Sequence, residues 1–378
     1  MTRIRLGMVG GGNDAFIGGV HRIASRIDDR FELVAGALSS TPEKSAASAQ
    51  ALGIPRSYGS LEEMARAEAA RDDGIEAVSI VTPNHVHAAA AKAFLAHGIH
   101  VICDKPLTST MDDAIALEAA VKDAEALFIL THNYTGYPMI RQAREMIAAG
   151  DLGEVRIVQA EYPQDWLTSP MENAGLKQAE WRTDPARSGA GGSIGDIGTH
   201  AHNLACFVSG LRVESLAADL QSFGAGRTLD DNAHMMLRFE GGARGMLWSS
   251  QVAPGNENAL KLRIYGEKGG LEWAQEDPNY LWFTPHGEPK RLLTRNGAGA
   301  TEASQAVSRI PGGHPEGYLE GFATIYNEAA DAIRATQNGT DRAKAMGILP
   351  GISAGIDGMR FITACVTSSA GNAAWTTL

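Results

Sequence analysis

Short apolar segments alternate with helix-like segments along the first 131 residues. Each apolar segment has the length of a buried strand and is followed by a turn and then by residues that favour a helix. Ser60, with Glu63 at the capping-box position, and Thr110 are predicted to begin two of these helices. Strands and helices that alternate in this way are typical of an α/β domain built on a doubly wound parallel sheet. The strands are predicted at residues 3–9, 31–38, 75–81, 99–103 and 127–131.

Glycines follow the first predicted strand and precede a predicted helix. Gly10 and Gly12 fit the start of a G-x-G-x-x-G pattern, but five residues separate Gly12 from Gly18, three more than usual. Such glycines let the backbone approach a pyrophosphate, and the helix N-terminus supplies N–H donors. The pattern therefore predicts dinucleotide binding by a Rossmann domain, with a ligand-free glycine-rich turn as the alternative. Candidate cofactor contacts at this turn are Gly10, Gly12, Asn13, Phe16 and Ile17.

The end of the second predicted strand bears on the choice of cofactor. An acidic residue near this point binds the ribose 2′-hydroxyl of NAD in many dinucleotide-binding domains. This chain has Ser39, Ser40, Thr41 and Pro42 there, with Lys44 close behind. Small hydroxyls leave room for a 2′-phosphate, and Lys44 can pair with it. We therefore expect NAD or NADP, with a lean to NADP.

Polar residues also follow the later predicted strands. Ligands of doubly wound sheets bind beyond the carboxyl ends of the strands, so we expect these residues to line a cofactor site. Lys105 lies between a buried strand and a proline; as a cation it can polarise a substrate oxygen, and a surface lysine on a turn is the alternative. The candidates at these ends are Thr82, Pro83, Asn84, His87, Asp104, Lys105 and Asn133.

The segment 192–200, Gly-Ser-Ile-Gly-Asp-Ile-Gly-Thr-His, carries a second kind of chemistry. Asp196 and His200 are four residues apart, which places both on one face of a helix. A carboxylate beside an imidazole can orient the ring and raise its basicity, as a general acid/base requires. A helix-capping role for Asp196 and a metal site that includes His202 are the alternatives. We expect acid/base chemistry and no metal.

The remainder of the chain shows a different order of predicted strands and helices. Successive predicted strands are joined by tight turns such as 240–242, Glu-Gly-Gly, which predicts a large, mostly antiparallel open sheet in an α+β domain. We place a dinucleotide-binding domain at 1–131 and a substrate-binding and oligomerisation domain at 132–378. Helices near 137–149, 196–208 and 317–336 are expected to cover one face of this sheet. The other face is expected to pair with a second copy in a homodimer or homotetramer.

Aromatic and polar residues of this second half are candidate sugar contacts. Aromatic faces beside polar groups suit rings that carry apolar C–H faces and hydroxyl edges, although core packing is the alternative for each residue. The polar, glycine-rich residues 286–312 are predicted to form a surface loop or lid. The candidate substrate contacts are Tyr134, Tyr162, Trp166, Trp181, Arg182, Asp184 and His314.

Charge and cysteine content narrow the class of protein. The 378 residues carry a net charge of −11, which argues against nucleic acid or an anionic membrane as partner. The three cysteines are widely separated, which suits a reducing compartment. The N-terminus runs directly into a predicted strand without a signal peptide, so we expect a cytoplasmic protein.

Taken in order, the glycine turn, Thr-Pro-Asn-His-Val-His at 82–87, Asp-Lys-Pro at 104–106 and Asp-Ile-Gly-Thr-His at 196–200 resemble the Gfo/Idh/MocA family of oxidoreductases. The resemblance covers nearly the whole chain. Residues 181–185, Trp-Arg-Thr-Asp-Pro, and 266–270, Gly-Glu-Lys-Gly-Gly, are also similar to the family. The chain departs from the family pattern at two points. Asp104 stands where Glu is commoner, and an insertion precedes Gly18.

The resemblance implies a role for each matching residue. Lys105 would contact the reacting hydroxyl, His200 would be the acid/base with Asp196 as its partner, and Asn84 and His87 would belong to the loop that covers the cofactor. It implies an NAD(P)-dependent dehydrogenase that acts on a secondary hydroxyl of a sugar, glycoside or inositol. A catalytically silent sugar sensor of the same fold, and a dihydrodiol or biliverdin-type reductase, are the alternatives.

Overall fold

The computed structural model of the chain describes residues 2–13, 15–174 and 177–378. Its contacts form two units. The first comprises Met1–Asn133 and Tyr318–Ile356, and the second comprises Tyr134–Gly317 and Asp357–Leu378. The sequence analysis placed the division at 131/132. In the structure the first unit continues to Asn133 and also includes residues 318–356.

The first unit is built on a six-stranded parallel sheet, as predicted. Its strand order is β3-β2-β1-β4-β5-β6, so the order reverses between β1 and β4. In sheets of this kind the ligand crevice lies beyond the strand ends at that reversal. The strands are β1 (Ile4–Gly10), β2 (Phe31–Ala37), β3 (Arg56–Ser57), β4 (Ala77–Val81), β5 (His100–Cys103) and β6 (Phe128–Leu130). The helices between them are α1 (Phe16–Ile27), α2 (Pro42–Leu52), α3 (Leu61–Ala69), α4 (Asn84–Leu95) and α5 (Met111–Asp123).

Local sequence signals account for the starts of these helices. The Ser60 side chain accepts a hydrogen bond from the Glu63 amide, and the Glu63 carboxylate in return accepts one from Gly59. The Thr110 side chain accepts from the Asp113 amide. Both predicted caps are confirmed.

The second unit contains a nine-stranded sheet of order β14-β13-β12-β11-β7-β10-β9-β8-β15. Only the β7–β10 pair is parallel among the strands described, which confirms the mostly antiparallel prediction. The strands are β7 (Val155–Pro163), β8 (Val213–Gln221), β9 (Asn232–Phe239), β10 (Arg244–Ser250), β11 (Lys261–Gly266), β12 (Gly269–Ala274), β13 (Tyr280–Pro285), β14 (Arg291–Thr294) and β15 (Thr376–Thr377). The helices are α6 (Pro138–Ala148), α7 (Lys177–Arg182), α8 (Pro185–Ser188), α9 (Thr199–Ser209) and α10 (Glu302–Ala306), with 3₁₀ turns at Asn133–Gly136 and Met171–Ala174 and a π-helical turn at Ile194–Gly198.

The two faces of this sheet differ. Helices α6 and α9 pack against one face, as predicted for 137–149 and 196–208. The other face, which we call the open face, carries the alternate residues of each strand. On it Met236 of β9 lies opposite Met246 of β10, and both are exposed, at 56% and 45%. The open face therefore carries exposed apolar side chains.

The third helix predicted to cover this sheet lies in the other unit. Helix α11 (Tyr318–Gln337) is followed by α12 (Arg342–Met346) and α13 (Ile352–Ala370). The buried face of α11, including Phe322 and Ile325, belongs to the same apolar core as Ile4 and Leu6 of β1. The prediction for 317–336 was wrong because helical periodicity shows that a face is apolar but not which sheet it meets.

Residues 286–312 were also predicted incorrectly as an open loop or lid. They contain β14 and α10, and the next turn is fixed by a buried ion pair between Arg295 and Glu316, 2.8 Å apart. Arg295 also donates to the carbonyl oxygens of Ile310 and Pro311 at 2.7 and 2.9 Å. These bonds brace the segment, because an ion pair without access to water must satisfy its remaining donors and acceptors locally.

Candidate active site

The glycine turn after β1 has the geometry of a phosphate-binding turn. Gly10 and Gly11 adopt positive φ, +76° and +70°. A Cβ atom at Gly18 would collide with the backbone of Gly11, so glycine is required where α1 approaches the turn. The N-cap residue Ala15 makes no side-chain cap, and the N–H groups in the first turn of a helix suit an anionic ligand. The residues of this turn therefore fit a dinucleotide pyrophosphate, despite the longer spacing.

Arg22 of α1 was not among the sequence candidates, but its guanidinium donates to the carbonyl oxygen of Gly11. This hydrogen bond fixes the backbone of the glycine turn. Asn13 and Phe16 are exposed beside the turn, and Ile17 is half-buried.

Ser39, Ser40 and Lys44 lie where the sequence places them, between β2 and the first turn of α2. Ser40 and Lys44 are exposed, and Ser39 is half-buried. The N-cap residue Thr41 makes no side-chain cap. This end of the sheet is therefore polar, open and free of acidic side chains at 39–42.

Two buried polar atoms at the strand ends of this unit point to a ligand. Oγ1 of Thr82, after β4, and Nδ2 of Asn133, after β6, make no hydrogen bond to any residue that the structure describes. Buried polar atoms are nearly always paired, so each such atom needs an explanation. Both residues were cofactor candidates, and a bound cofactor would satisfy them. Pro83 lies between Thr82 and the start of α4, whose first residue is the buried Asn84.

His87 is 1% exposed, and both of its ring nitrogens face backbone carbonyls. Nδ1 lies 2.8 Å from the oxygen of Pro106, and Nε2 lies 2.9 Å from that of Thr82. Burial lowers the pKa of His87. The ring therefore connects the turn after β4 to the turn that carries Lys105.

A second buried histidine lies behind the Lys105 turn. Asp104 accepts hydrogen bonds from the Lys105 amide at 2.9 Å and the Thr131 hydroxyl at 3.0 Å, and Nε2 of His21 lies 4.0 Å from the same carboxylate oxygen. Nδ1 of His21 contacts the hydroxyl of Tyr326 at 2.8 Å. Burial lowers the pKa of His21 to about 4, so its ring is neutral. No local sequence pattern predicts this network, because His21 and Tyr326 are 305 residues apart.

In the second unit, the Asp196 carboxylate is held by two side chains. Gln251, which follows β10, donates to Oδ2 of Asp196 at 2.9 Å. The Nε atom of Arg182 lies 3.2 Å from the same oxygen, and the Arg182 guanidinium lies 4.5 Å from the centre of the Trp181 ring. Trp181 and Arg182 are thus brought to Asp196, and Gln251 is a contact that sequence reasoning missed.

His200 lies in the first turn of α9 and is 8% exposed. Its ring is edge-on to Tyr134, with centroids 4.8 Å apart. The hydroxyls of Tyr134 and Tyr162 are 2.5 Å apart, and Tyr162 donates to Oδ1 of Asn258 at 2.7 Å. Burial raises the pKa of Tyr134 to about 12. Two substrate candidates therefore form a buried, hydrogen-bonded wall beside His200.

The remaining substrate candidates are more dispersed. Trp166 is half-buried after β7. Asp184 caps α8 by accepting from the Ala186 amide at 3.0 Å. His314 is exposed in the turn braced by Arg295. No cluster of three or more His, Cys, Asp or Glu side chains that could hold a metal is found within 2–13, 15–174 and 177–378.

A parallel sheet with a phosphate-binding turn, unpaired polar atoms at its strand ends and a separate unit with an Asp/His helix defines a dinucleotide-dependent oxidoreductase. Residues 4–132 match the oxidoreductase family described by its NAD-binding Rossmann fold, and residues 140–272 match the GFO/IDH/MocA C-terminal domain. The chain belongs to the Gfo/Idh/MocA family of oxidoreductases, and NAD is the cofactor of that family's fold.

Solved and curated relatives agree with this assignment. An oxidoreductase from Sinorhizobium meliloti is 62% identical with a TM-score of 0.90, over 100% of both chains. An inositol dehydrogenase homolog from Azotobacter vinelandii, complexed with NADH and myo-inositol, is 36% identical with a TM-score of 0.93, over 100% of this chain and 98% of that one. The levoglucosan dehydrogenase of Pseudarthrobacter phenanthrenivorans is 30% identical over 305 residues, 73% of this chain and 75% of that enzyme. No helix in the described part of this chain is long and apolar enough to cross a membrane.

Proposed function

We propose that this protein is an NAD(P)-dependent dehydrogenase that interconverts a secondary hydroxyl and a ketone on a cyclic polyol, sugar or glycoside. The observation that carries the proposal is the environment of His200. This imidazole is largely buried, lies beside the hydrogen-bonded pair Tyr134 and Tyr162, and is on the helix that also presents Asp196. The relatives solved or named with myo-inositol and levoglucosan support the substrate class.

The chain contributes proton transfer and charge. His200 removes the hydroxyl proton during oxidation and returns it during reduction. The negative charge of Asp196 favours the protonated imidazole that results. Lys105 stabilises negative charge that develops on the reacting oxygen. When bound, the nicotinamide cofactor accepts or supplies the hydride.

The cofactor residues all lie in the first unit. The glycine turn would hold the pyrophosphate, the residues after β2 would hold the adenosine ribose, and the polar atoms after β4, β5 and β6 would hold the nicotinamide half. The proposed contacts are Gly10, Gly12, Asn13, Phe16, Ile17, Ser39, Ser40, Lys44, Thr82, Pro83, Asn84, His87, Asp104, Lys105 and Asn133. The proposed substrate contacts are Tyr134, Tyr162, Trp166, Trp181, Arg182, Asp184 and His314.

Turnover of a cofactor tests the proposal. Purified protein is titrated with NADH and NADPH by fluorescence, then assayed by absorbance with a panel of inositols, aldoses and anhydrosugars. His200→Asn should lower kcat about 10²- to 10⁴-fold while the cofactor Kd stays within roughly twofold. His202→Asn, on the same helix, is the control for damage to the helix and should keep most of the activity. Wild-type protein that binds cofactor but turns over no member of the panel would favour the sensor alternative.

We also propose that the open face of the nine-stranded sheet joins copies of this chain in a homodimer or homotetramer. Ile157, Met236, Met246, Trp282 and Leu292 are large apolar residues of this face and are each more than two-fifths exposed. Opposite charges alternate between them: Arg263 lies across from Glu272 and forms an ion pair with Glu161. A face with exposed apolar residues and both signs of charge offers a second copy apolar surface and partners for ion pairs, and a two-fold interface uses the same patch on both copies.

We also propose a reducing cytoplasm as the compartment, which the free cysteines Cys103, Cys206 and Cys365 support.

A further inference from the structure

Asp230 accepts four hydrogen bonds from three successive residues at the start of the helix that carries Asp196 and His200. Its Oδ1 accepts from the Gly192 amide at 2.7 Å. Its Oδ2 accepts from the Ser193 hydroxyl at 2.8 Å and from the Ile194 amide at 2.9 Å. Its backbone oxygen accepts from the Ser193 amide at 2.8 Å. Asp230 precedes β9 and is 36 residues or more from this segment in the sequence.

These bonds replace a cap that the helix lacks. The first amides of any helix have no partner within it, and the N-cap residue Ser193 makes no side-chain cap of its own. A carboxylate at this end also interacts favourably with the helix dipole. The fit is close, because a Cβ atom at Gly192 would collide with the backbone oxygen of Asp230. The start of the helix is therefore fixed to the strand β9 and not to its own sequence neighbours.

The same strand ends also reach Asp196. The Gln251 amide donates to the backbone oxygen of Asp231 at 2.8 Å, while the Gln251 side chain donates to Asp196. Two residues next to β9 and β10 thus contact the helix. Asp230, before β9, accepts from its first amides, and Gln251, after β10, donates to Asp196 about one turn later. Since the π-helical turn and α9 are continuous, a displacement at residues 192–194 is passed to His200.

We propose that Asp230 is a positioning residue for Asp196 and His200, and this rests on the proposed dehydrogenase function. It is buried and is not among the proposed substrate or cofactor contacts. Its role is to fix the height and rotation of the helix, because small errors in the position of a reacting group reduce the rate strongly.

The adjacent residue Asp231 supplies a matched control. It is also buried, and it also accepts from two successive backbone amides, those of Phe223 and Gly224 at 2.9 and 2.8 Å. It also pairs with Arg227 at 3.0 Å. Asp230→Asn and Asp231→Asn therefore each replace one acceptor oxygen of a buried backbone-binding carboxylate. Of these two carboxylates, it is that of Asp230 that accepts from residues 192–194 at the start of the helix.

The test compares both variants of the full chain at a temperature at which circular dichroism shows both to be folded. We expect Asp230→Asn to lower kcat about 10- to 100-fold with cofactor Kd within twofold, and Asp231→Asn to lower kcat less than threefold. Hydrogen exchange should accelerate in peptides covering 192–200 for Asp230→Asn, and in peptides covering 222–226 for Asp231→Asn. Equal kcat losses in the two variants, or unchanged exchange at 192–200 in Asp230→Asn, would overturn the inference.

The wild-type and His200→Asn proteins are measured alongside. If the wild type turns over substrate and His200→Asn does not, a normal kcat in Asp230→Asn contradicts only the role of Asp230. If the wild type has no turnover, the proposed function and the positioning role both fail. The exchange measurement then still decides whether Asp230 caps the helix.

Discussion

His87 holds Pro106, because its Nδ1 atom lies 2.8 Å from the Pro106 carbonyl oxygen. The other ring nitrogen faces the carbonyl oxygen of Thr82 at 2.9 Å. Because burial lowers the pKa of His87, the neutral ring carries one N–H, which donates to one of these two carbonyl oxygens while the other oxygen lies against the second ring nitrogen. This geometry favours a role for His87 in fixing the turn that carries Lys105, in addition to or in place of the cofactor contact that the family resemblance implies.

His87→Ala should therefore reduce turnover more than it reduces cofactor binding. Without the ring, the Lys105 turn loses its connection to the turn after β4, and we expect kcat to fall roughly 10- to 100-fold because Lys105 is displaced. Steady-state kinetics and a fluorescence titration with NADH separate the two effects. His85→Ala, at an exposed position of the same helix, is the control and should behave as the wild type. A Kd that rises as much as kcat falls would instead support direct cofactor contact by His87.

Sequence patterns predicted most of the first unit because its elements are specified locally. The caps at Ser60 and Thr110, the glycine turn and the strand ends each depend on residues close together in the chain. The hairpin at 240–242 is equally local: Gly241 and Gly242 adopt positive φ, +84° and +102°, which glycine tolerates best.

Features that depend on distant residues were missed. Asp230, Gln251 and Tyr326 reach their partners across 36 to 305 residues, and none is marked by a local pattern. The same limit explains the assignment of α11 to the wrong sheet. Its amphipathic pattern showed that one face is buried, but the apolar surface that covers that face is defined only in three dimensions.

Ser39→Asp should shift the cofactor preference towards NAD. An acidic side chain after β2 would accept hydrogen bonds from the ribose hydroxyls and repel a 2′-phosphate. We expect the Kd for NADPH to rise at least about tenfold, with a smaller change for NADH, in fluorescence titrations. Lys44→Ala removes the cation proposed to pair with the 2′-phosphate. It should raise the Kd for NADPH and leave the Kd for NADH unchanged. Equal changes for both cofactors in both variants would place the adenosine ribose elsewhere.

The double variant Met236→Glu/Met246→Glu should break the proposed contact between open faces. The two residues are neighbours across β9 and β10, so each copy would bring a patch of like charge into the interface. Light scattering coupled to size exclusion should show a smaller particle, while circular dichroism stays unchanged. Ile310→Glu, at another exposed apolar position, should keep the wild-type mass. A wild-type monomer, or an unchanged mass in the double variant, would contradict the proposal.

Buried histidines should make the protein sensitive to mild acid. Burial lowers the pKa values of His21, His100 and His202 from 6.5 to about 4. Between these two pH values the three histidines bind more protons in the unfolded chain than in the folded chain, so they lower the free energy of unfolding as the pH falls from 6.5 towards 4. Each histidine contributes up to about 3 kcal/mol to this loss, since one pKa unit corresponds to about 1.4 kcal/mol.

Removal of one of these rings should flatten that pH dependence. His202 packs face-to-face on Phe361, with ring centroids 4.5 Å apart, and Nδ1 of His202 makes no hydrogen bond within the part of the chain described. His202→Leu keeps an apolar side chain against Phe361 and removes the group that must be protonated on unfolding. Chemical denaturation at pH 7.0, 6.0 and 5.0 should show a smaller loss of unfolding free energy in His202→Leu than in the wild type, by up to about 1.4 kcal/mol per pH unit below 6. His97→Leu, at an exposed position, should retain the wild-type slope. Parallel slopes for the wild type and His202→Leu would show that His202 does not remain neutral in the folded protein.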